Sequence, residues 1–126
     1  MQTAPFYKNV VEEVSSELTE AVGRFMVAGV SSDQIILDPG IGFAKTFEHN
    51  ITLMKHLDAV VAMGFPVVIG TSRKSFIGTI TGKNVADRLG GTLATIASAF
   101  RAGVSIFRVH DVAETVDFLK VLSAIE

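Results

Sequence analysis

Short apolar runs alternate with stretches of helical periodicity, and no other feature restricts the fold of this chain so tightly. The runs "IILD" (35–38), "PVVIGT" (66–71) and "SIFRVH" (105–110) lack the apolar–polar alternation of a half-exposed strand. Each therefore reads as a strand buried on both faces. Before the first run, Asn9 to Val27 carries Val10, Val14, Leu18, Ala21, Val22 and Phe25 on one helical stripe. Asn9 with Glu12 suggests a capping box at its start, and Gly29 suits a left-handed stop. A second helix is expected from Asn50 to Met63, with Ile51, Met54, Leu57 and Val61 inward and Gly64 as its end. "SRKSFIGTITG" reads as a loop turning into a short helix, and Val85 to Ala102 as a long helix ended by Gly103. A last helix runs from Val112 to Ile125, with Asp111 and Glu114 as its capping box. One helix followed by three strand–helix units predicts an α/β fold, with right-handed crossovers, parallel strands and helices outside.

The length of 126 residues allows one domain, 1–126, large enough for a real core. A formal charge of −2 offers no broad basic field for nucleic acid. No cysteine is present, which excludes a disulfide framework and a thiolate metal site. No apolar run reaches membrane-spanning length and no leader pattern follows Met1, so the expected location is cytoplasmic. The helix "GGTLATIASAFRAG" is unusually small-sided, which suits close packing on its own sheet or a subunit contact.

Each predicted strand ends on polar side chains: Asp38, then Ser72, Arg73, Lys74 and Ser75, then Arg108 and His110. In parallel α/β folds, ligands bind at the carboxyl ends of strands, so these endings outline a site. A carboxylate ending a buried strand needs donors. Asp38 either binds amides of its own loop in an Asx-turn before Pro39-Gly40, or accepts from the paired N–H groups of a heterocycle. Gly40 and Gly42 would let backbone approach such a ring, and Phe43 would offer an apolar face or join the core. Lys45, His49 and Asn50 read as loop and cap residues, with Asn50 a good helix start.

Ser72 is placed to cap the short helix, whose free N–H groups would hold an anion, reinforced by Arg73 and Lys74. A solvated basic turn is the plainer alternative. Ser75 could donate to an anion docked there. The glycine order is not that of a phosphate-binding P-loop. Arg108 and His110, two apart in an extended segment, point the same way. Arginine offers a fork to phosphate oxygens and histidine a ring donor; the alternative is a salt bridge from Arg108 to Asp111 or Asp38. His56 lies on a helix and reads as partly exposed. No carboxylate pair, nucleophilic triad or metal cluster emerges.

"DPGIGFAKTFEHN", "VVIGTSRKSFIG", "ADRLGGTLATIASAFRAG" and "FRVHDV", in this order and spacing, resemble dihydropteroate synthase. The resemblance implies the last three βα units of a (β/α)8 TIM-type barrel with a preceding helix. It implies condensation of 6-hydroxymethyl-7,8-dihydropterin pyrophosphate with p-aminobenzoate in folate biosynthesis, with sulfonamides as competitors. By motif, Asp38 and Lys74 would bind the pterin with Phe43 beside them, and Ser75, Lys74 and Phe43 would meet p-aminobenzoate. Arg108 and His110 would hold pyrophosphate, and Lys74, Arg108 and His110 would act in catalysis. Arg73 would be a pocket wall or an outer ion partner.

The resemblance also implies Mg2+, whose asparagine ligand belongs to the family's first strand and is absent from this chain. Strands one to four and most of the fifth are expected to be missing. Three parallel strands leave both sheet edges open, so association is expected, either with the missing half or as a homodimer through outer helices. The alternative to an enzyme fragment is a non-catalytic half-barrel acting only in folding and association.

Overall fold

A computed structural model describes residues 9–126. Helix α1 (Val10–Val27) begins at Asn9, whose side chain accepts from the Glu12 N–H at 3.2 Å. The reciprocal bond comes from Glu13, not Glu12: its carboxylate accepts the Asn9 N–H at 2.9 Å. Val10 and Val14 are buried, and Leu18 and Val22 pack against the core. Phe25 departs from the expected stripe. It is 54% exposed, because the last turn of α1 runs past the packed region together with Val27.

After a 3₁₀ turn (Ser32–Gln34) and the "IILD" run come α2 (Phe47–Lys55) and α3 (Leu57–Val61). The expected single helix is therefore two pieces, and it starts earlier. Thr46 is the cap, accepting from the His49 N–H at 3.1 Å, while His49 Nδ1 accepts the Thr46 N–H at 3.1 Å. The helix tightens where the His56 N–H reaches the Leu53 carbonyl at 3.1 Å, and then resumes. Across that offset Leu53, Leu57 and Val60 are all fully buried. Each such side chain stabilises the fold by about 1.5–3 kcal/mol.

Next follow β1 (Val68–Ile69), α4 (Ser75–Thr81), a 3₁₀ turn (Val85–Asp87), α5 (Leu89–Ala102), β2 (Ile106–Phe107) and α6 (Val112–Ile125). The predicted helix from Val85 is interrupted at Arg88, whose side chain folds back to donate to the Lys83 and Arg73 carbonyls at 3.0 and 2.9 Å. Asp111 makes no capping bond to α6; its carboxylate is taken by Arg73 instead.

The pairings are parallel, as expected, but short. Val68 pairs with Ile106 and Ile69 with Phe107. The "IILD" run joins only through Leu37 beside Val67. Pro66 has no N–H to give, which limits the middle strand to few ladder bonds. The spatial order places Leu37, Val67–Ile69 and Ile106 side by side. Leu37, Val67 and Ile69 are buried in the core with residues of the helices. By alternation Ile36 and Ile106 face the other way, and they are 56% and 37% exposed. Among the described residues the sheet is thus covered on one face only. Asp38, Gly70 and Arg108 lie on the uncovered face, one step further along each strand.

Candidate functional site

The loop after Leu37 is held from within. Asp38 Oδ1 accepts the Gly40 N–H at 2.9 Å, which is the Asx-turn, and Oδ2 lies 3.5 Å from Arg108 Nη1, the ion pair considered above. The carboxylate therefore has donors before any ligand arrives. Asn50 is buried and belongs inside α2, where its Oδ1 accepts the Gly42 N–H at 2.8 Å. Its task is to clamp the loop, and Thr46 starts the helix in its place.

Lys45 Nζ donates to the Gly40 and Phe43 carbonyls at 2.9 and 3.0 Å. Burial holds its pKa below the ordinary lysine value, against the opposing pull of Glu17 and Asp38. Gly42 has φ +87, and a Cβ there would stand 3.0 Å from Lys74 Cδ. The missing side chain leaves room for the Lys74 stem, whose Nζ sits 4.0 Å above the centre of the Phe43 ring.

The turn after β1 is tied to three other segments. Arg73 is a non-glycine residue at φ 59, a conformation of intrinsic cost. Its N–H donates to Thr92 Oγ1 at 3.1 Å, its carbonyl accepts from Arg88 at 2.9 Å, and its Nη2 meets Asp111 Oδ1 at 3.1 Å. Ser72 does not cap α4; Lys74 occupies that position. The Ser72 hydroxyl lies 2.7 Å from His110 Nδ1 and accepts the His110 backbone N–H at 3.1 Å. Consecutive residues of one turn, Ser72 and Arg73, thus clasp consecutive residues of the next, His110 and Asp111.

Gly70 has no room for a Cβ, since the Arg108 guanidinium fills that space. A glycine inside an apolar run was the available sign of such an approach. Nothing in the sequence pattern marked Thr92 or Arg88.

Asp38, Phe43, Gly70, Ser72, Lys74, Arg108, Val109 and His110 line one cleft of about 570 Å³. Among the residues expected to form a site, Ser75 does not line it; Ser75 is exposed as the first residue of α4. Arg73 is outside as well, committed to Asp111. The cleft joins one carboxylate, an ammonium with an aromatic face, a guanidinium and an imidazole. That set can bind a planar group bearing N–H donors at one end and a multiply charged anion at the other. A separate cleft of about 480 Å³ lies near Asn9, Glu12, Glu48, His49 and His56, away from the strand ends. Among the described residues no three His, Asp or Glu side chains group in a way that could hold a metal ion. None of their helices is long and apolar enough to cross a membrane.

Residues 1–110 match the family described as pterin binding enzyme. A dihydropteroate synthase of Neisseria meningitidis serogroup B is 46% identical over 129 residues, covering 99% of this chain and 45% of the relative. A crystal structure of dihydropteroate synthase from Stenotrophomonas maltophilia, with imidazole in its active site, superposes with a TM-score of 0.96 at 37% identity. The match covers 99% of this chain and 48% of that one. The Xanthomonas albilineans dihydropteroate synthase in complex with 7,8-dihydropteroate gives a TM-score of 0.94 at 39% identity, over 99% of this chain and 49% of that one. This chain therefore spans about half the length of the proteins it matches. Sequence and geometry agree on one conclusion: the chain belongs to the pterin binding enzyme family, and the relatives it resembles are dihydropteroate synthases, which are transferases.

Proposed function

We propose that this chain is the C-terminal portion of a dihydropteroate synthase, folded as one unit that supplies part of a (β/α)8 barrel. The reaction joins 6-hydroxymethyl-7,8-dihydropterin pyrophosphate to p-aminobenzoate, giving 7,8-dihydropteroate and pyrophosphate. One observation carries this reading: Asp38, Phe43, Lys74, Arg108 and His110, from three strand ends, line a common cleft. Support for the barrel comes from the parallel pairings and from a sheet face left uncovered at Ile36 and Ile106. The dihydropteroate held by the Xanthomonas albilineans relative supports the substrate class. The same proposal keeps the cytoplasm as the place of action.

In this reading Asp38 accepts from the pterin amino and ring N–H groups, and Lys74 donates to the pterin from the opposite side. Arg108 and His110 hold pyrophosphate. The C–O bond breaks first, its electron pair leaving with pyrophosphate, and the cationic groups stabilise that charge as it develops. The neutral aniline nitrogen then forms the C–N bond and gives up a proton to pyrophosphate or water. Lys74 and Phe43 wall the aromatic ring, with Ser75 toward its carboxylate; sulfonamides would compete there. Positioning and electrostatics do the work, so no strong nucleophile is required.

Mg2+ belongs to the family expectation. The residues described do not fit it: the cleft's one carboxylate, Asp38, is engaged by Gly40 and Arg108, so no step is drawn through a metal. Calorimetry of this chain with a pterin analogue tests the reading. Binding that Asp38→Ala abolishes is the expected result; no binding to the unmodified chain would reject it.

A second reading has its own observation. Val112, Val116, Val121 and Ile125 of α6 are 59%, 43%, 63% and 74% exposed, which suits a homodimer or other self-association through outer helices. A non-catalytic association module would show this property without binding pterin. Size-exclusion chromatography over a dilution series is the check, and a monomer at every concentration counts against self-association.

A further inference from the structure

From the contacts of Ser72 we infer that this residue fixes the tautomer of His110 and so turns an Nε2–H donor toward the cleft. A serine hydroxyl has one hydrogen to give and two lone pairs to receive. One lone pair of Ser72 Oγ is used by the His110 backbone N–H at 3.1 Å. Its remaining close partner is His110 Nδ1, at 2.7 Å. Ser72 is 6% exposed, and among the described residues no other acceptor takes its hydrogen.

If Nδ1 carried the proton, it would donate to Oγ, which already accepts the His110 N–H, and the hydroxyl hydrogen would lose its one protein acceptor and be left to water in the cleft. The neutral ring therefore keeps Nδ1 as acceptor and places its hydrogen on Nε2. Both bonds of Ser72 go to the same residue, one to its backbone and one to its ring, so the imidazole is fixed in orientation as well as in tautomer. His110 lines the cleft beside Arg108 and Lys74, where an N–H donor adds to their attraction for an anion. Ser72 is thus a positioning residue that acts through His110. That last consequence rests on the proposed pyrophosphate subsite; the tautomer rests on the hydrogen bonds alone.

Nitrogen-15 NMR of the uniformly labelled chain at pH about 8, where an ordinary imidazole is neutral, reads the tautomer directly. His49 serves as an internal reference, because its Nδ1 also accepts a hydrogen bond, from the Thr46 N–H. His110→Gln assigns the signals. The unmodified chain is expected to show protonated Nε2 and a hydrogen-bonded, unprotonated Nδ1 at His110. In Ser72→Ala the Nδ1 signal moves toward that of an unbonded ring nitrogen, and affinity for inorganic pyrophosphate falls roughly tenfold. Ser72→Thr restores both. An Nδ1-protonated His110 in the unmodified chain overturns the inference, as does a Ser72→Ala variant with an unchanged Nδ1 signal. Where Ser72→Ala fails to fold, the unmodified chain's spectrum decides alone. Absence of pyrophosphate binding by the unmodified chain counts against the proposed function, while the nitrogen spectra still decide the tautomer.

Discussion

The Lys74 ammonium stands 4.0 Å above the centre of the Phe43 ring, and its stem passes over Gly42. Residues 31 positions apart in sequence are thereby brought into contact in the lining of the cleft, one on each of two strand-end loops. A cation over an exposed ring contributes about 0.5–1 kcal/mol. Phe43→Leu is expected to weaken binding of a pterin analogue by about two- to fivefold, measured by calorimetry. Its effect on stability should stay within about 0.5 kcal/mol, because Phe43 is 54% exposed.

Gly70→Ala asks whether the position of Arg108 matters. A methyl group at residue 70 occupies the space of the guanidinium and must push it off the sheet face. Arg108 is exposed, so the fold should tolerate the shift. Loss of one charge-assisted contact weakens pyrophosphate binding by about 10- to 100-fold, from about 1.5–3 kcal/mol. Unchanged affinity, with the circular dichroism intact, would show that Arg108 does not hold the anion.

Asn50→Ala leaves the Gly42 N–H without its 2.8 Å acceptor. Gly42 is exposed and its freed N–H can meet water, so stability in urea should fall by about 0.5–1.5 kcal/mol, the net worth of one hydrogen bond. Asn50→Asp keeps the acceptor and should recover most of that loss. Equal losses in both variants would mean that the acceptor oxygen is not what matters at this position.

Lys45 gives a pH dependence whose sign can be stated. Its folded pKa lies below 10.5 because of burial. In the window between that lowered value and 10.5 the folded chain has released a proton that the unfolded chain still holds. The unfolded state binds more protons there, so the Lys45 contribution to stability rises with pH across the window. Urea midpoints measured up to pH about 10.5 should show this rise in the unmodified chain relative to Lys45→Met. Parallel pH profiles would exclude it.

What the sequence made legible was the order of elements and the side chains at each strand end. Val112–Ile125 emerged with its expected limits, and Asp38, Lys74, Arg108 and His110 do share a cleft. Periodicity reports the apolar stripe of a helix, which sufficed to bound α6 even though Val112, Val116, Val121 and Ile125 are exposed. It does not report which polar partner wins when several compete. Asp111 could cap α6 or pair with Arg73, and the ion pair took it. Ser72 could cap α4 or bind His110, and the imidazole offered a fuller match for its hydroxyl. Asn50 looked like a helix start because asparagine often is one, yet its side chain is spent on the loop, accepting the Gly42 N–H. The apolar runs overstated the strands, since burial against helices satisfies the same pattern as ladder pairing.

Each strand contributes only a residue or two of pairing, whereas the turns beyond are laced together by Asn50, Lys45, Thr92, Arg88, Asp111 and the Ser72–His110 bond. The stiffness of the pocket is therefore lodged in its stitching, not in the cloth beneath it. Amide protons at Gly42 and Arg73 should resist solvent exchange as long as those of the neighbouring helices do. Adaptation of such a pocket to a new occupant would come by swapping a single knot, with no hinge required.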